Sequence, residues 1–141
     1  QNQPKTYTIT DMAHIDYPEN IEVYAAGDDT APLLAFLENR LGSLTFESTI
    51  VDGHDQYRCG PIKIFINSNL ADTYISVYII GATTWASDIA LARDMAKTLA
   101  VTVRCDPGSA YPDVSPYSDL FVEVSSEGEH LLGGLRIEIG R

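Results

Sequence analysis

The segment between residues 73 and 104, which decides the fold, reads TYISVYIIGATTWASDIALARDMAKTLAVTVR. Its first eight residues are rich in β-branched and aromatic side chains, as is typical of a strand. Apolar side chains then recur at the spacing of one helical face, at Trp85, Ile89, Ala92, Ala96 and Leu99. We therefore predict a strand from Thr73 to Ile80, a helix that Thr83 or Thr84 caps, and a short strand at residues 101–104.

Upstream of this segment, the sequence indicates strands and one further helix. Residues Asn20 to Ala25 alternate between apolar and polar side chains, which predicts a half-buried strand. An alternation from Tyr7 to Ile15 predicts an earlier strand. A second helix is indicated by Pro32, which suits a first turn, and by Gly42, which can end a helix in the left-handed conformation. Between them, apolar residues stand at helical spacing: Leu33, Phe36, Leu37 and Leu41.

The rest of the chain is predicted to form strands separated by turns. The Asp52-Gly53 turn separates a strand at residues 44–51 from one that runs from Gln56 through Ile62 to Ile66. Three prolines and a glycine make residues 106–119 a loop. A strand at 120–124, a turn at 127–129 and a return strand from His130 to Ile139 complete the chain.

The predicted order of elements is β-β-α-β-β-β-α-β-β-β, and no internal repeat or domain boundary interrupts it. Runs of strands interrupted by two helices are typical of α+β architecture. We therefore predict a single α+β domain over residues 1–141, with a mainly antiparallel sheet and two helices packed on it.

The composition restricts the partners that this chain can have. Its 141 residues include 20 acidic and 9 basic side chains, so the formal net charge is −11. Nucleic acids and anionic lipid surfaces need a basic footprint, and they are therefore excluded as partners. No apolar run reaches the length of about 18 residues that a membrane-spanning helix needs. A basic protein is the partner class that the charge favours, although acidity also serves solubility alone.

No motif for catalysis, metal binding or nucleotide binding is present. The three histidines do not stand at metal-ligand spacing from either cysteine, and the glycines do not form a phosphate-binding loop. His54, Asp55 and Cys59 are close in sequence, but no oxyanion-hole loop accompanies them. We predict a protein that is not an enzyme and that binds no cofactor or metal. Cys59 and Cys105 are open to three interpretations: buried thiols, one disulfide, or a reactive pair.

The loop at residues 106–119 is the best candidate for a recognition surface. Prolines stiffen it, and tyrosines supply large contact areas at low entropic cost. Its candidate partner-binding residues are Asp106, Tyr111, Asp113, Tyr117 and Asp119. A second acidic set at predicted turns is formed by Asp28, Asp29, Asp52 and Asp55. Helix capping and turn formation are the alternative roles for this second set, and packing onto the core is the alternative for the tyrosines.

The C-terminal half also resembles a known family. The resemblance is carried by four runs: Thr84-Trp85-Ala86-Ser87-Asp88, Ala92-Arg93-Asp94, Val103-Arg104-Cys105-Asp106-Pro107-Gly108 and Tyr111-Pro112-Asp113-Val114-Ser115-Pro116-Tyr117-Ser118-Asp119. They are similar to small acidic immunity proteins of bacterial polymorphic toxin systems. The resemblance implies a protein that binds and neutralises a cognate toxin, itself basic in many such pairs. It also implies a cytoplasmic location; the periplasm stays open because the sequence begins at Gln1 without an initiator methionine.

Two alternatives of other classes are kept. The first is a small enzyme that uses His54 and a carboxylate, which a deep polar pocket around His54 would favour. The second is a secreted or periplasmic binding domain, which a disulfide between Cys59 and Cys105 would favour.

Overall fold

A computed structural model describes residues 20–115 and 117–133. These residues form an antiparallel sheet of eight strands with two helices packed on one face, which confirms the predicted α+β class. In chain order the elements are β1 (Asn20–Ala26), α1 (Ala31–Leu41), β2 (Thr45–Val51), β3 (His54–Cys59), β4 (Ile62–Asn67), β5 (Tyr74–Ile80), α2 (Asp88–Leu99), β6 (Val103–Cys105), a 3₁₀ turn (Gly108–Ala110), β7 (Phe121–Ser125) and β8 (Gly128–Leu132).

Strand β1 lies in the middle of the sheet, whose order is β2-β3-β4-β5-β1-β6-β7-β8. It pairs with β5 along its whole length, from Asn20 opposite Ile80 to Ala26 opposite Tyr74. On its other side it pairs with β6. The chain therefore leaves β1 through α1, returns to it by the meander β2 to β5, and crosses it through α2.

The two faces of the sheet differ because side chains alternate along each strand. One face carries buried aliphatic residues, such as Val23, Val77 and Ile64, and these pack against both helices. The opposite face carries a mixture of aromatic and polar residues that includes Tyr78 and Glu22. The hydrophobic core therefore lies between the sheet and the helices.

Helix α2 begins three or four residues later than the sequence pattern predicts. Ser87, not Thr83 or Thr84, is its N-cap, and the Ser87 hydroxyl accepts a hydrogen bond from the Ala90 amide at 3.1 Å. Trp85 has the spacing of the helical stripe but lies before the helix, buried with 6% of its surface exposed. The prediction was wrong here because a buried indole that precedes the helix stands at the same apolar spacing as one within the helix.

The strands between the helices also differ from the prediction. The segment predicted as one strand up to Ile66 forms two strands, β3 and β4, because Gly60 adopts φ 59° and starts a tight turn beside Pro61. The final hairpin turns at residues 126–127, so that Gly128 already belongs to β8. The predicted strand at residues 7–15 and the part of the return strand from residue 134 lie outside the described residues.

One polar cluster joins the two helices. Arg40 of α1 donates two hydrogen bonds to the Asp94 carboxylate of α2, at 2.9 and 3.0 Å. The Trp85 indole N–H donates to the same carboxylate at 3.0 Å, and the indole stacks on Phe36 at 6.0 Å between ring centroids. The bond from Arg40 holds the pKa of Asp94 below its ordinary value. Trp85 therefore both fills the core and orients the contact between the helices.

Replacing Trp85 with alanine is expected to lower the free energy of unfolding by about 3–5 kcal/mol, because it leaves a cavity between the helices. Urea denaturation followed by circular dichroism measures this change. As a control, Tyr117→Ala removes a side chain that is 95% exposed and should change stability by no more than about 0.5 kcal/mol. Similar losses for both variants would contradict the structural role of Trp85.

Candidate partner-binding groove

The predicted site residues lie at two opposite ends of the strands. Here the lower end is the end of the sheet where β1 begins, and the upper end is where β1 finishes. Because neighbouring strands are antiparallel, the residues of the loop 106–119 lie towards the lower end, and those at 28–29 and 52–55 lie at the upper end. The lower and upper ends of β1 are about 20 Å apart. The nine residues therefore form two surfaces and not one.

A groove lies at the lower end, between the start of α2 and the loop that follows β6. This groove, called the lower groove below, has a volume of about 520 Å³. Asp88 and Asp106 supply carboxylates to its lining, Tyr111 supplies an aromatic ring, and Pro107, Pro112 and Leu120 supply apolar surface. A shallower depression continues from it along Ser87 and Asn20. The groove falls within the range of about 300–1,000 Å³ that is usual for ligand sites.

Asp88 is the most perturbed carboxyl group of this groove. Strand β6 pairs with β1 at Tyr24 and Ala25, and the Glu22 amide beyond this pairing donates to the Asp88 Oδ1 at 3.1 Å. The pKa of Asp88 is raised to about 6, chiefly by burial; the hydrogen bond from the Glu22 amide opposes this rise, and the nearby charges of Asp106 and Glu22 add to it. Asp88 and Asp106 are 18 positions apart in sequence, so no local pattern could have joined them.

Tyr111 attaches the loop to the body of the domain. Its hydroxyl donates a hydrogen bond to the Glu129 carboxylate of β8. The same carboxylate accepts two bonds from Arg93 of α2, both at 2.8 Å. The bonds from Arg93 lower the pKa of Glu129 to about 2, and the carboxylate in turn raises the pKa of Tyr111. Tyr111 is half-buried against the core, so it positions the loop more than it offers free surface.

The tip of the loop presents an exposed tyrosine between two exposed carboxylates. Tyr117 is 95% exposed, and Asp113 and Asp119 are exposed on either side of it in sequence. Backbone bonds at 3.0 Å from Val114 to Tyr111 and from Ser118 to Ser115 fold the loop into successive turns. Backbone hydrogen bonds therefore lie close to the exposed side chains in the described part of the loop.

The upper acidic residues have local contacts of the kind that turns and strands use. The Asp29 Oδ1 accepts a hydrogen bond from the Ala31 amide at the start of α1, at 3.1 Å. The Asp55 Oδ1 accepts one from the Thr49 hydroxyl of the neighbouring strand β2, at 2.7 Å. Asp28 and Asp52 are exposed beside turns. Asp55, which the sequence predicted at a turn, lies on strand β3, and turn formation stays an alternative role for Asp28 and Asp52.

The two cysteines are free thiols, so the interpretation as a disulfide is wrong. Cys59 lies on β3 and Cys105 on β6, four strand positions apart, which corresponds to about 19 Å across the sheet. The Cys59 thiol donates to the Leu41 carbonyl oxygen at 3.3 Å. Cys105 is buried, and burial raises its pKa above the ordinary value. The raised pKa disfavours the thiolate that a reactive cysteine needs.

His54 lies on the face of the sheet that the helices leave uncovered. A second groove, of about 380 Å³, is lined there by His54, Glu22, Tyr78 and Phe65. The Ser76 hydroxyl donates to the Glu22 carboxylate at 3.3 Å. Within the described part of the chain, no three metal-ligating side chains come together. Neither described helix, at 11 and 12 residues, is long and apolar enough to cross a membrane.

Comparison of the chain with protein-family models, with curated proteins and with solved structures finds no match in any of the three. The likeness to immunity proteins therefore depends on the sequence pattern alone.

Replacing Asp88 with asparagine is expected to stabilise the protein above pH 6. The folded-state pKa of about 6 exceeds the ordinary value of 3.8, so the folded protein holds this proton more tightly than the unfolded chain does. Stability therefore falls as the pH rises from about 4 to about 6, and it stays reduced above that range. The shift alone would correspond to about 3 kcal/mol. Solvent screening and the lost interaction with the helix dipole reduce the expected gain to about 1–2 kcal/mol.

Urea unfolding of Asp88→Asn and of the unchanged protein at pH 5 and pH 8 measures this gain. The gain should be larger at pH 8 than at pH 5, since asparagine removes the titration. Asp28→Asn, which removes an exposed charge, should show no such difference. A gain that is equal at both values of pH would mean that Asp88 does not titrate in this range.

Replacing Tyr111 with phenylalanine is expected to loosen the loop while the fold is kept. The change removes the hydroxyl that donates to Glu129, with a cost of about 0.5–1.5 kcal/mol. Hydrogen exchange of the amides at residues 106–119 should become faster. Tyr117→Phe is the matched control, because its ring is exposed and should leave this exchange unchanged. Unchanged exchange in both variants would show that the hydroxyl does not hold the loop.

Proposed function

We propose that this protein is an immunity protein that binds and neutralises a basic bacterial toxin through its lower end. The observation that carries the proposal is the loop at residues 106–119, which presents an exposed Tyr117 between two exposed carboxylates beside an acidic groove. Tyrosine is enriched at the anchoring positions of protein interfaces. Its placement on a loop that Tyr111 already fixes reduces the entropy that binding would cost.

The charge of the whole chain supports the same partner class. A net charge of −11 attracts a basic protein over a distance that ionic strength sets, and it raises the rate of encounter. Acidic side chains at the rim mainly change the association rate and the salt dependence, whereas a buried aromatic anchor changes the dissociation rate. In this proposal Asp113 and Asp119 are rim charges and Tyr117 is the anchor. The upper acidic residues contribute to the long-range field only.

A second candidate function is an enzyme that uses the groove on the uncovered face, since this groove holds His54 and the Glu22 carboxylate. The proposal of an immunity protein predicts that His54→Ala keeps full protection against the toxin. Loss of protection in a folded His54→Ala variant would favour the second candidate.

The proposal is tested by capture of partners from a lysate of the source organism, followed by affinity measurements with the toxin domain that is recovered. We expect one near-stoichiometric basic toxin, bound more weakly as the salt concentration rises. Tyr117→Ala should weaken binding at least tenfold, which corresponds to about 1.4 kcal/mol. The double variant Asp113→Asn/Asp119→Asn should slow association at low salt.

The matched control is Asp28→Asn/Asp52→Asn, which removes the same charge at the upper end. It should change the association rate by much less than the lower-end pair, since only the long-range field is altered. Equal effects of the two pairs would contradict a binding surface at the lower end. Failure to recover any toxin would contradict the proposed function itself.

A further inference from the structure

We infer that the groove on the uncovered face of the sheet binds a small organic ammonium ion. This inference goes beyond the proposed function, because the groove shares no lining residue with the lower groove. Its volume of about 380 Å³ is within the range that is usual for ligand sites. The ligand class follows from three features of the lining: two aromatic rings, exposed aliphatic side chains, and a carboxylate that has no ion pair within the described residues.

One row of side chains crosses three neighbouring strands in this groove. Phe65 of β4 stands opposite Tyr78 of β5, and Tyr78 stands opposite Glu22 of β1. The rings of Phe65 and Tyr78 are 6.1 Å apart between centroids and tilted by 37°. Because neighbouring strands are about 4.8 Å apart, both aromatic positions lie within about 10 Å of Glu22 along the row. Aromatic faces and carboxylates both attract cations, so the row suits a positively charged ligand.

Exposed aliphatic side chains border this row. Ile50 is 51% exposed and Ile80 is 37% exposed, and both line the groove. Together with the two rings they form apolar surface at one place on a strongly charged chain, and such surface marks binding sites when it is contiguous. The groove therefore favours a ligand with apolar groups, such as the methyl groups of a quaternary ammonium ion.

The carboxylate of Glu22 supplies the charge in the lining. It is half-buried, and it accepts a hydrogen bond from the buried Ser76 hydroxyl at 3.3 Å. In the part of the chain that the structure describes, Glu22 belongs to none of the ion pairs. The carboxylate is therefore held by one neutral donor and is available to a cation.

The basic side chains that share this face are engaged elsewhere. Arg58 forms an ion pair with Glu47, and Arg104 forms one with Glu123 at 3.1 Å. Lys63 stands opposite Arg58, and its charge adds to the hydrogen bond from Arg58 in holding the pKa of Glu47 below its ordinary value. None of these three basic residues belongs to the described lining of the groove.

The cost of covering Glu22 decides the charge of the occupant. A neutral molecule would remove water from the carboxylate without pairing it, and an anion would add repulsion. A second copy of the chain would bring another Glu22 and a net charge of −11 to the same place. A divalent metal ion needs several oxygen ligands, whereas the described lining offers one carboxylate. An organic ammonium ion satisfies both the carboxylate and the apolar walls.

The test is an NMR titration of the whole protein with choline, a quaternary ammonium ion, at low ionic strength. The titration is run at pH 8, because His54 also lines the groove and a protonated imidazole would repel the ligand. The neutral probe is 3,3-dimethyl-1-butanol, which has the shape of choline with carbon in place of nitrogen. We expect choline to shift the amide signals of residues 22, 65 and 76–78 with a dissociation constant of about 1–10 mM. The neutral probe should bind at least fivefold more weakly.

Three variants localise the effect. Glu22→Gln keeps an acceptor for the Ser76 hydroxyl and should weaken choline binding at least fivefold, while it leaves the neutral probe unaffected. Asp28→Asn removes an equal charge at the upper end and should leave choline binding unchanged. Tyr78→Leu keeps an apolar side chain without the aromatic face and should weaken choline binding about threefold. The amide signals of the core strands show that each variant is folded.

Three results would overturn the inference. The first is equal binding of the two probes or binding of neither, and the second is unchanged choline affinity in a folded Glu22→Gln variant. The third is a shift of the groove signals when the protein alone is diluted, since a second copy would then cover this face.

The captured toxin separates this inference from the proposed function. Tyr117→Ala should weaken toxin binding and leave choline binding unchanged, which would support two independent sites. If saturating toxin displaces choline, the groove belongs to the toxin interface, and the inference of a small free ligand is overturned. If choline binds as expected but no toxin is captured, the proposed function fails and the inference stands.

Discussion

The structure depends on the pairing of β1 with a strand on each side. Strand β1 pairs with β5 along seven positions on one side and with β6 on its other side. The first strand of the described chain therefore becomes a middle strand of the sheet. The chain reaches β2 at one edge, and later crosses from β5 to β6, by passing over the same face. Both crossings are helices, and their burial against β1 forms the core.

The pairing of β1 with β6 also produces the lower groove. Strand β6 is only three residues long, so its pairing with β1 stops at Tyr24, and the Glu22 amide has to find another acceptor. Asp88, at the start of the second crossing helix, provides that acceptor. A carboxylate is thereby held at the place where β6 turns away into the loop, and Asp106 is the first residue of that loop. The acidic groove is a consequence of how the sheet is closed beside a short strand.

The loop at residues 106–119 combines an anchoring contact with exposed side chains. The contact of Tyr111 with Glu129, itself held by Arg93, ties the loop to α2 and β8 at once. This leaves Tyr117 free to project, so one tyrosine positions the loop while the other offers contact area. A protein that acts by binding alone benefits when one residue positions the loop and another makes the contact, since the loop then loses little conformational freedom when the partner docks.

The sequence by itself determined the class of the fold, the approximate place of both helices and most strands, the negative charge, and the loop at residues 106–119. These features depend on local periodicity, on glycine and proline, and on composition, all of which can be read along the chain. The division of residues 56–66 into two strands was harder to predict, because a two-residue turn changes the sequence pattern little between two strands of similar composition. Trp85 was misplaced because an indole buried beside a helix follows the same spacing as one within it.

Only the tertiary structure decided which residues come together. It divided the nine predicted site residues between two ends of the sheet, separated Cys59 from Cys105 by four strand positions, and brought Asp88 beside Asp106. None of these outcomes is local, since each depends on the order of the strands. That order is set by the burial of whole strand faces and by hydrogen bonds between segments far apart in the chain, and neighbouring residues carry no signal of it.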